Sequence, residues 1–184
     1  MIRSGISLAA AFGILLFLGI ANYSSAQEKK AEEGKKEKQA EGVAKELAPF
    51  QGSWKLEKTH ADGNVLPSNL FGECTLVVKG SSYSLVRKTN REVRVTGKLV
   101  VPPDQPPFKD KEPAPGQANA AELLPVDIIP ESEGKDLETQ KAVLAVSDGK
   151  LFLCSGPPKN SRPKTLNTLA KENVVLMIFN RNQP

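Results

Sequence analysis

The chain has 184 residues, with 25 Lys and Arg against 21 Asp and Glu, 39% apolar residues and 5% aromatic residues. This balance excludes a mostly disordered chain and a protein with several membrane spans. Phe12, Phe17 and Tyr23 lie in the first 26 residues, so few aromatic residues remain for the rest of the chain. The composition therefore predicts one small domain, and the small positive net charge of +4 does not indicate a nucleic-acid partner.

The N-terminus has the pattern of a secretory signal peptide. Arg3 precedes an apolar run over residues 6–21, and the small residues Ser24 and Ala26 follow it. This pattern predicts cleavage after Ala26 and a periplasmic or extracellular location. The alternative is an uncleaved signal anchor, because the run is only slightly shorter than the roughly 17–25 residues that span a bilayer. With cleavage, the protein would contact the membrane only through the signal peptide.

Residues 27–46 are rich in Lys and Glu and predict a flexible tether, because they cannot bury enough apolar surface to offset the entropy of ordering. Val43, Leu47 and Phe50 then recur at helical spacing. They predict a short N-terminal helical segment that leads into the first strand.

Short apolar and β-branched runs separated by turn residues fill most of the remaining chain. They predict eight strands, over residues 53–60, 73–79, 83–88, 92–101, 124–129, 141–147, 150–154 and 173–180. Val93 and Val95 alternate with Arg94 and Thr96, which indicates an antiparallel sheet with one dry face. Because no long helical pattern separates the strands, the sequence predicts an all-β barrel or sandwich, and a barrel leaves no exposed edge.

Three segments raise questions that this pattern leaves open. A Pro-rich loop over residues 102–123 is either a lid over a binding site or an inert insertion, and residues 155–172 form a second long loop. The last strand is apolar on both faces, although a barrel strand needs only one dry face. Its other face requires a cover, for which residues 43–50 or the pair Leu166 and Leu169 are the candidates.

Four motifs follow one another in a distinctive order. They are Phe50-Gln51-Gly52-Ser53-Trp54-Lys55, Asp62-Gly63-Asn64-Val65-Leu66-Pro67, the hairpin Ser147-Asp148-Gly149-Lys150-Leu151-Phe152-Leu153-Cys154, and Pro157-Pro158 with Arg162-Pro163. With them, residues 47–182 resemble the uncharacterised lipocalin-like domain family multiplied in planctomycete genomes. The resemblance implies an eight-stranded antiparallel up-and-down lipocalin-like barrel outside the cytoplasm. It supplies no substrate, cofactor or catalytic residue.

Gly52, Trp54 and Arg181 are the predicted structural residues. Gly52 would permit a close backbone approach where the chain enters the barrel, and Trp54 would plug its tapering end. The lipocalin resemblance implies that a basic residue of the last strand packs over this tryptophan, and Arg181 is the candidate. The alternative is that Arg181 is a solvated strand end.

The predicted barrel interior consists of medium-sized residues. The inward candidates are Leu56, Leu76, Val78, Leu85, Val93, Val95, Val126, Val143, Leu151, Leu153, Val175 and Met177. Eight strands can either be filled by such side chains or enclose one ligand. We expect a small apolar or amphipathic ligand in a cavity lined by Val93, Val95, Val126 and Leu153, with the Pro-rich loop as a lid. The alternative is a packed barrel that serves as a structural or protein-interaction module of the cell envelope; the oligomeric state stays open.

The sequence offers no constellation for catalysis or metal binding. His60 is the single histidine and is expected to be a surface turn residue, so neither a metal centre nor a Ser-His-Asp set is predicted. We therefore expect a protein without a cofactor that is not an enzyme. Asp127 is expected to point outward, because it alternates with Val126 and Ile128.

A basic cluster and two cysteines complete the candidate residues. The cluster comprises Arg87, Lys88, Arg91, Arg94 and Lys98, and it is expected to be a solvated strand face. Because no aromatic residue lies among these cations, it lacks a platform for nucleic-acid bases. Alternation places Cys74 and Cys154 on opposite faces of the sheet, which disfavours a disulfide between them.

The predicted signal peptide can be tested on the exported protein. We expect its intact mass to correspond to a chain that begins at Gln27, because the residues before Ala26 match what signal peptidase requires. A chain that still begins at Met1 and sediments with membranes would establish the signal anchor instead.

Overall fold

The computed structural model describes residues 45–67, 70–89, 92–111, 121–131, 138–168 and 173–182. It contains a 3-10 helix (Ala48–Phe50) and ten strands. The strands are β1 (Gly52–Ala61), β2 (Asn64–Leu66), β3 (Glu73–Lys79), β4 (Ser82–Lys88), β5 (Glu92–Val100), β6 (Phe108–Lys109), β7 (Glu122–Glu131), β8 (Gln140–Ser147), β9 (Lys150–Ser155) and β10 (Val175–Arg181). The predicted signal peptide, most of the tether and Val43 lie outside the described residues. No helix in the described part of the chain is long and apolar enough to cross a membrane.

Eight of these strands form a closed antiparallel barrel. Each long strand pairs with the next long strand along the chain, in the order β1, β3, β4, β5, β7, β8, β9 and β10. The ring closes because β10 also pairs with β1, from Trp54 opposite Arg181 to Ala61 opposite Val175. The eight predicted strands and the up-and-down barrel are therefore confirmed. Of the predicted helical segment, the described residues show only the 3-10 helix and its immediate approach.

Two further strands were not predicted. β2 folds back on the end of β1, and β6 pairs with the start of β7. They have three and two residues, too few for an alternating pattern to identify.

A β-bulge in β1 changes which residues face the interior. The register shifts between Leu56 and Lys58. Trp54 is inside before the bulge, whereas Thr59 and Ala61 line the interior after it. Two consecutive outward residues therefore separate Leu56 from Thr59, as expected where one extra residue is inserted into a strand.

The bulge and β2 also explain why the prediction for His60 was wrong. His60 is not a surface turn residue but is only 8% exposed within β1, opposite Val65 of β2. Its burial, with the nearby positive charge of Lys58, lowers the pKa of the imidazole.

One end of the barrel is closed by large side chains. Leu47, Phe50, Trp54 and Phe179 are buried there in the inner core. Trp54 Nε1 donates a hydrogen bond of 2.8 Å to the carbonyl oxygen of Phe50. The Arg181 guanidinium lies 4.4 Å from the centroid of the indole ring, which is the geometry of a cation–π contact. The 3-10 helix thus becomes the floor of the barrel.

Gly52 has a different role from the predicted close approach. A Cβ atom at this position would meet only the Arg181 Nη1 atom, at an ordinary 3.8 Å. The backbone φ of +117° is what requires glycine here, because residues with a side chain rarely adopt that angle.

A second apolar core covers part of the barrel's outer wall. Its members are Ala121, Leu123, Val143, Ala145, Phe152, Cys154, Leu166, Val174, Leu176 and Ile178, with Phe108 packed against them. Leu176 and Ile178 are the outward residues of β10, and Leu166 belongs to their cover. Leu47 and Phe50 are part of the inner core instead, and Leu169 lies outside the described residues.

Polar contacts hold the loops of this outer layer. Leu166 donates its backbone N–H to Asp110 Oδ2 at 2.9 Å. Arg162 donates to Gln105 Oε1 at 2.8 Å and forms a 2.6 Å ion pair with Asp127, which points outward as predicted. Arg162 Nη1 also donates to the carbonyl oxygens of Val126 and Ala142. The long connection before β10 is thereby fastened to β7, β8 and the Pro-rich loop.

The closed end provides a stability test. We expect Trp54→Ala to lower the free energy of unfolding by about 3–5 kcal/mol, because it empties a large aromatic site and leaves the Phe50 carbonyl without its donor. Arg181→Gln, which removes an exposed cation–π partner and its long, 3.5 Å hydrogen bond to the Pro49 carbonyl, should cost about 0.5–1 kcal/mol. Chemical denaturation measures both, and equal losses for the two variants would contradict this account of the barrel floor.

Candidate ligand-binding site

The half of the barrel away from Trp54 is hollow. It contains a cavity of about 430 Å³. Each of the eight barrel strands contributes at least one apolar side chain to its wall. Examples are Leu56, Leu76, Leu85, Val93, Ile128, Leu144, Leu151 and Met177. The volume lies within the roughly 300–1,000 Å³ found for small-molecule pockets, and the apolar wall is typical of them.

The distribution of side-chain size explains why only one end is filled. The bulky Phe50, Trp54 and Phe179 all belong to the inner core at the closed end, and none of them lines the cavity. Around the cavity most apolar positions hold Leu, Val, Ile and Met, which reach less far across an eight-stranded barrel, and Phe71 and Tyr83 are the aromatic residues of the wall. The cavity is therefore built by the order of large and small residues along the strands.

Three of the four predicted cavity residues line the cavity. These are Val93, Val95 and Leu153. Val126 is fully buried in the inner core but does not contribute to the cavity wall. Val143, expected to point inward, lies in the outer core, because it stands directly opposite Cys154 and shares that residue's face.

The predicted lid is not found in the described part of the Pro-rich loop. None of residues 102–111 lines the cavity, and Phe108 packs on the outer core instead. The mouth is bordered by Phe71 on one side and by Gly156, Pro157 and Val174 on another. The described part of the Pro-rich loop therefore covers the outer wall of the barrel, since half-buried Phe108 packs there against the outside of the sheet.

Arg87 departs from the expected solvated strand face. It lines the cavity, while its Nε donates to the Phe71 carbonyl at 2.8 Å and its Nη2 to the Leu70 carbonyl at 2.7 Å. Alternation along β4 predicts that Arg87 faces the interior, because Tyr83 and Leu85, four and two residues earlier, also line the cavity.

The rest of the basic cluster behaves differently from Arg87. Lys88 is exposed, Arg94 pairs with Glu92 at 3.3 Å and Lys98 pairs with Glu131 at 2.9 Å. These three side chains lie on the solvated face that the sequence predicted. Arg91 lies outside the described residues.

Other polar groups occur both at the mouth and inside the cavity. Asp62, Gln140, Ser155 and Asn173 border it with Arg87. Thr59 and Tyr83 are buried members of the wall, and their hydroxyl groups have no hydrogen-bond partner among the described residues. Burial raises the pKa of Tyr83, and the negative charge of Glu131 adds to the shift.

The cysteines lie on opposite faces, as predicted, and no disulfide joins them. Cys74 lines the cavity, whereas Cys154 belongs to the outer core. Burial raises the pKa of the Cys74 thiol from its usual 9.0 to about 11, against the opposing effect of the Arg87 charge. In the described ranges, no group of three or more His, Cys, Asp or Glu side chains is placed to hold a metal ion.

Comparisons with known proteins give no family for this chain. No family model matches the sequence, and neither does any curated protein. Among solved structures, a mutant of the REP1-NXSQ fatty acid transporter is 14% identical with a TM-score of 0.35, over 73% of this chain and 99% of the transporter. Fatty-acid-binding protein 1 of Echinococcus granulosus is 12% identical with a TM-score of 0.36, over 74% and 99%.

The wild-type fluorescent protein UnaG is 16% identical with a TM-score of 0.36, over 74% of this chain and 99% of UnaG. TM-scores this low do not establish a shared fold. The barrel is therefore assigned from its strand pairing, and the site from its own residues.

Cys74 offers a chemical probe of the cavity. With a pKa of about 11, the thiol should be labelled at pH 8 about a hundredfold more slowly than an ordinary thiol, and the rate should rise tenfold per pH unit until about pH 11. Labelling with methyl methanethiolsulfonate in a Cys154→Ala background measures this. Rapid labelling that levels off near pH 9 would place Cys74 in contact with solvent.

Proposed function

We propose that this protein is an exported carrier that holds one small apolar or amphipathic molecule inside its barrel. The observation that carries the proposal is the 430 Å³ cavity with an apolar wall drawn from all eight strands. Apolar molecules gain free energy by leaving water for such a space. Sugars and nucleotides fit less well, because most of their polar groups would be buried without partners.

The cavity also bears on the rival proposal, a packed barrel that acts as a structural or protein-interaction module. That function requires no interior space, and a continuous side-chain core from Trp54 to the loops would have favoured it. Here the core ends part-way along the barrel, above the level of Trp54 and Phe179. Leaving such a space unfilled forfeits packing energy, which supports a role for the space itself.

We further propose that the carrier works outside the cytoplasm and is not an enzyme. The sequence pattern of residues 1–26 supports export. Membership of the lipocalin-like family likewise stands as a proposal on the four motifs. Within the cavity, Cys74 has a strongly protonated thiol, which is a poor nucleophile, and the single histidine His60 faces away from it.

The proposal is tested with N-phenyl-1-naphthylamine, an uncharged fluorophore that brightens in apolar surroundings. We expect saturable binding to the mature protein. Leu85→Trp, which fills the cavity from β4, should weaken this binding by at least about tenfold, or ~1.4 kcal/mol.

Val86→Trp is the matched control, because the neighbouring residue of the same strand does not line the cavity. It should bind the fluorophore as the unmodified protein does. A folded protein that fails to bind the fluorophore, or an equal loss of affinity in both variants, would refute the carrier function. The structural or protein-interaction module would then be the favoured proposal. Mass spectrometry of extracts from natively purified protein then identifies the bound compound.

A further inference from the structure

The cavity mouth carries a positive charge that forms no ion pair with a described carboxylate. Among the described residues that line the cavity, Arg87 is the only cation and Asp62 the only anion. No ion pair within 4.0 Å joins Arg87 to a carboxylate of the described residues. Its two hydrogen bonds go to the neutral carbonyl groups of Leu70 and Phe71.

The acidic residues on the neighbouring strands do not supply the missing counter-charge. Arg87 stands opposite Cys74 on β3 and Val93 on β5, both of which line the cavity. The nearest acids along those strands pair elsewhere: Glu73 with Lys55 at 3.4 Å and Glu92 with Arg94 at 3.3 Å. A charge facing an apolar space is costly unless something pairs with it.

The hydrogen bonds of Arg87 leave one edge of the guanidinium available. A guanidinium has five N–H groups, and the two bonds to the residue 70–71 backbone use Nε and one N–H of Nη2. The Nη1 group and the remaining N–H of Nη2 have no partner among the described residues. These groups form the edge that binds a carboxylate through two parallel hydrogen bonds. The same bonds to Leu70 and Phe71 hold the side chain in one orientation.

We propose that the ligand is a single-chain amphipathic anion whose carboxylate head binds Arg87 at the mouth while its apolar tail fills the cavity towards Trp54. This inference rests on the carrier function and assigns the ligand class and its direction in the barrel. The tail contacts the Leu and Val side chains of the wall. The head stays at the edge of the cavity, where water completes its hydrogen bonds.

Asp62 restricts where an anionic head can bind at the mouth. Its carboxylate also lines the cavity, so it repels an anionic head and favours a position on the Arg87 side of the mouth. Neutralising the two residues should therefore have opposite effects on the same ligand. This opposition distinguishes a charge effect from general damage to the barrel.

The test is displacement of the uncharged fluorophore by dodecanoate and by dodecanol, which share one tail and differ in the charge of the head. On the mature protein we expect dodecanoate to compete at least about tenfold better than dodecanol at pH 8. In Arg87→Gln this ratio should fall to about one, and in Asp62→Asn it should rise. Asn suits the positive φ of position 62, so that variant keeps the turn.

Lys88→Gln is the matched control, because it removes an exposed cation next to Arg87 and should leave the ratio as it was. Equal competition by the two compounds in the unmodified protein, or a ratio that survives Arg87→Gln, would overturn the assignment of the head to Arg87 while the carrier stands. Failure of the uncharged fluorophore to bind at all would remove both proposals. If Arg87→Gln does not fold, the rise in Asp62→Asn and the constancy in Lys88→Gln decide the question.

Discussion

The pairing of the first barrel strand with the last holds the structure closed, and Trp54 lies where that pairing begins. Its ring is covered by the Arg181 guanidinium from β10, and its indole N–H is satisfied by Phe50 from the 3-10 helix. The first and the last segments of the barrel therefore meet on one side chain. Because this floor is filled by aromatic residues, the remaining strands can enclose space at the other end without the barrel collapsing on itself.

The outer core is the second condition for a hollow barrel. A wall with an empty interior loses packing on one face, and here β7 to β10 regain it on the other face through Phe108 and Leu166. Arg162 ties this layer to the sheet by pairing with Asp127 and donating to two strand carbonyls. The described parts of the two long loops are therefore structural parts of the wall.

Alternation in the sequence predicted the strands well, because successive side chains of a strand point to opposite faces and the interior accepts mainly apolar ones. It identified the eight barrel strands, the opposite faces of Cys74 and Cys154, and three of the four expected cavity residues. Alternation reports which face a residue occupies, but not how far along the barrel it lies. Val126 shows the limit: it is inside, but at a level where the interior is filled.

The remaining errors have other physical causes. The burial of His60 depends on a bulge and on a three-residue strand, neither of which has a sequence period of its own. The Pro-rich loop could be recognised as long, but the surface against which it packs depends on the outer core. Arg87 was grouped with its charged neighbours, although its position two residues after Leu85 placed it on the cavity face.

The bulge in β1 reverses which alternate residues of the strand face the interior. Before it, even-numbered residues face the interior; after it, odd-numbered residues do. If the same residues alternated regularly without the bulge, Lys58 and His60 would face the interior, and Thr59 would face outward. An imidazole would then enter the upper cavity in place of a hydroxyl group. One inserted residue thus keeps the only histidine of the chain, and the acid–base chemistry it would bring, out of the compartment that is proposed to hold the ligand.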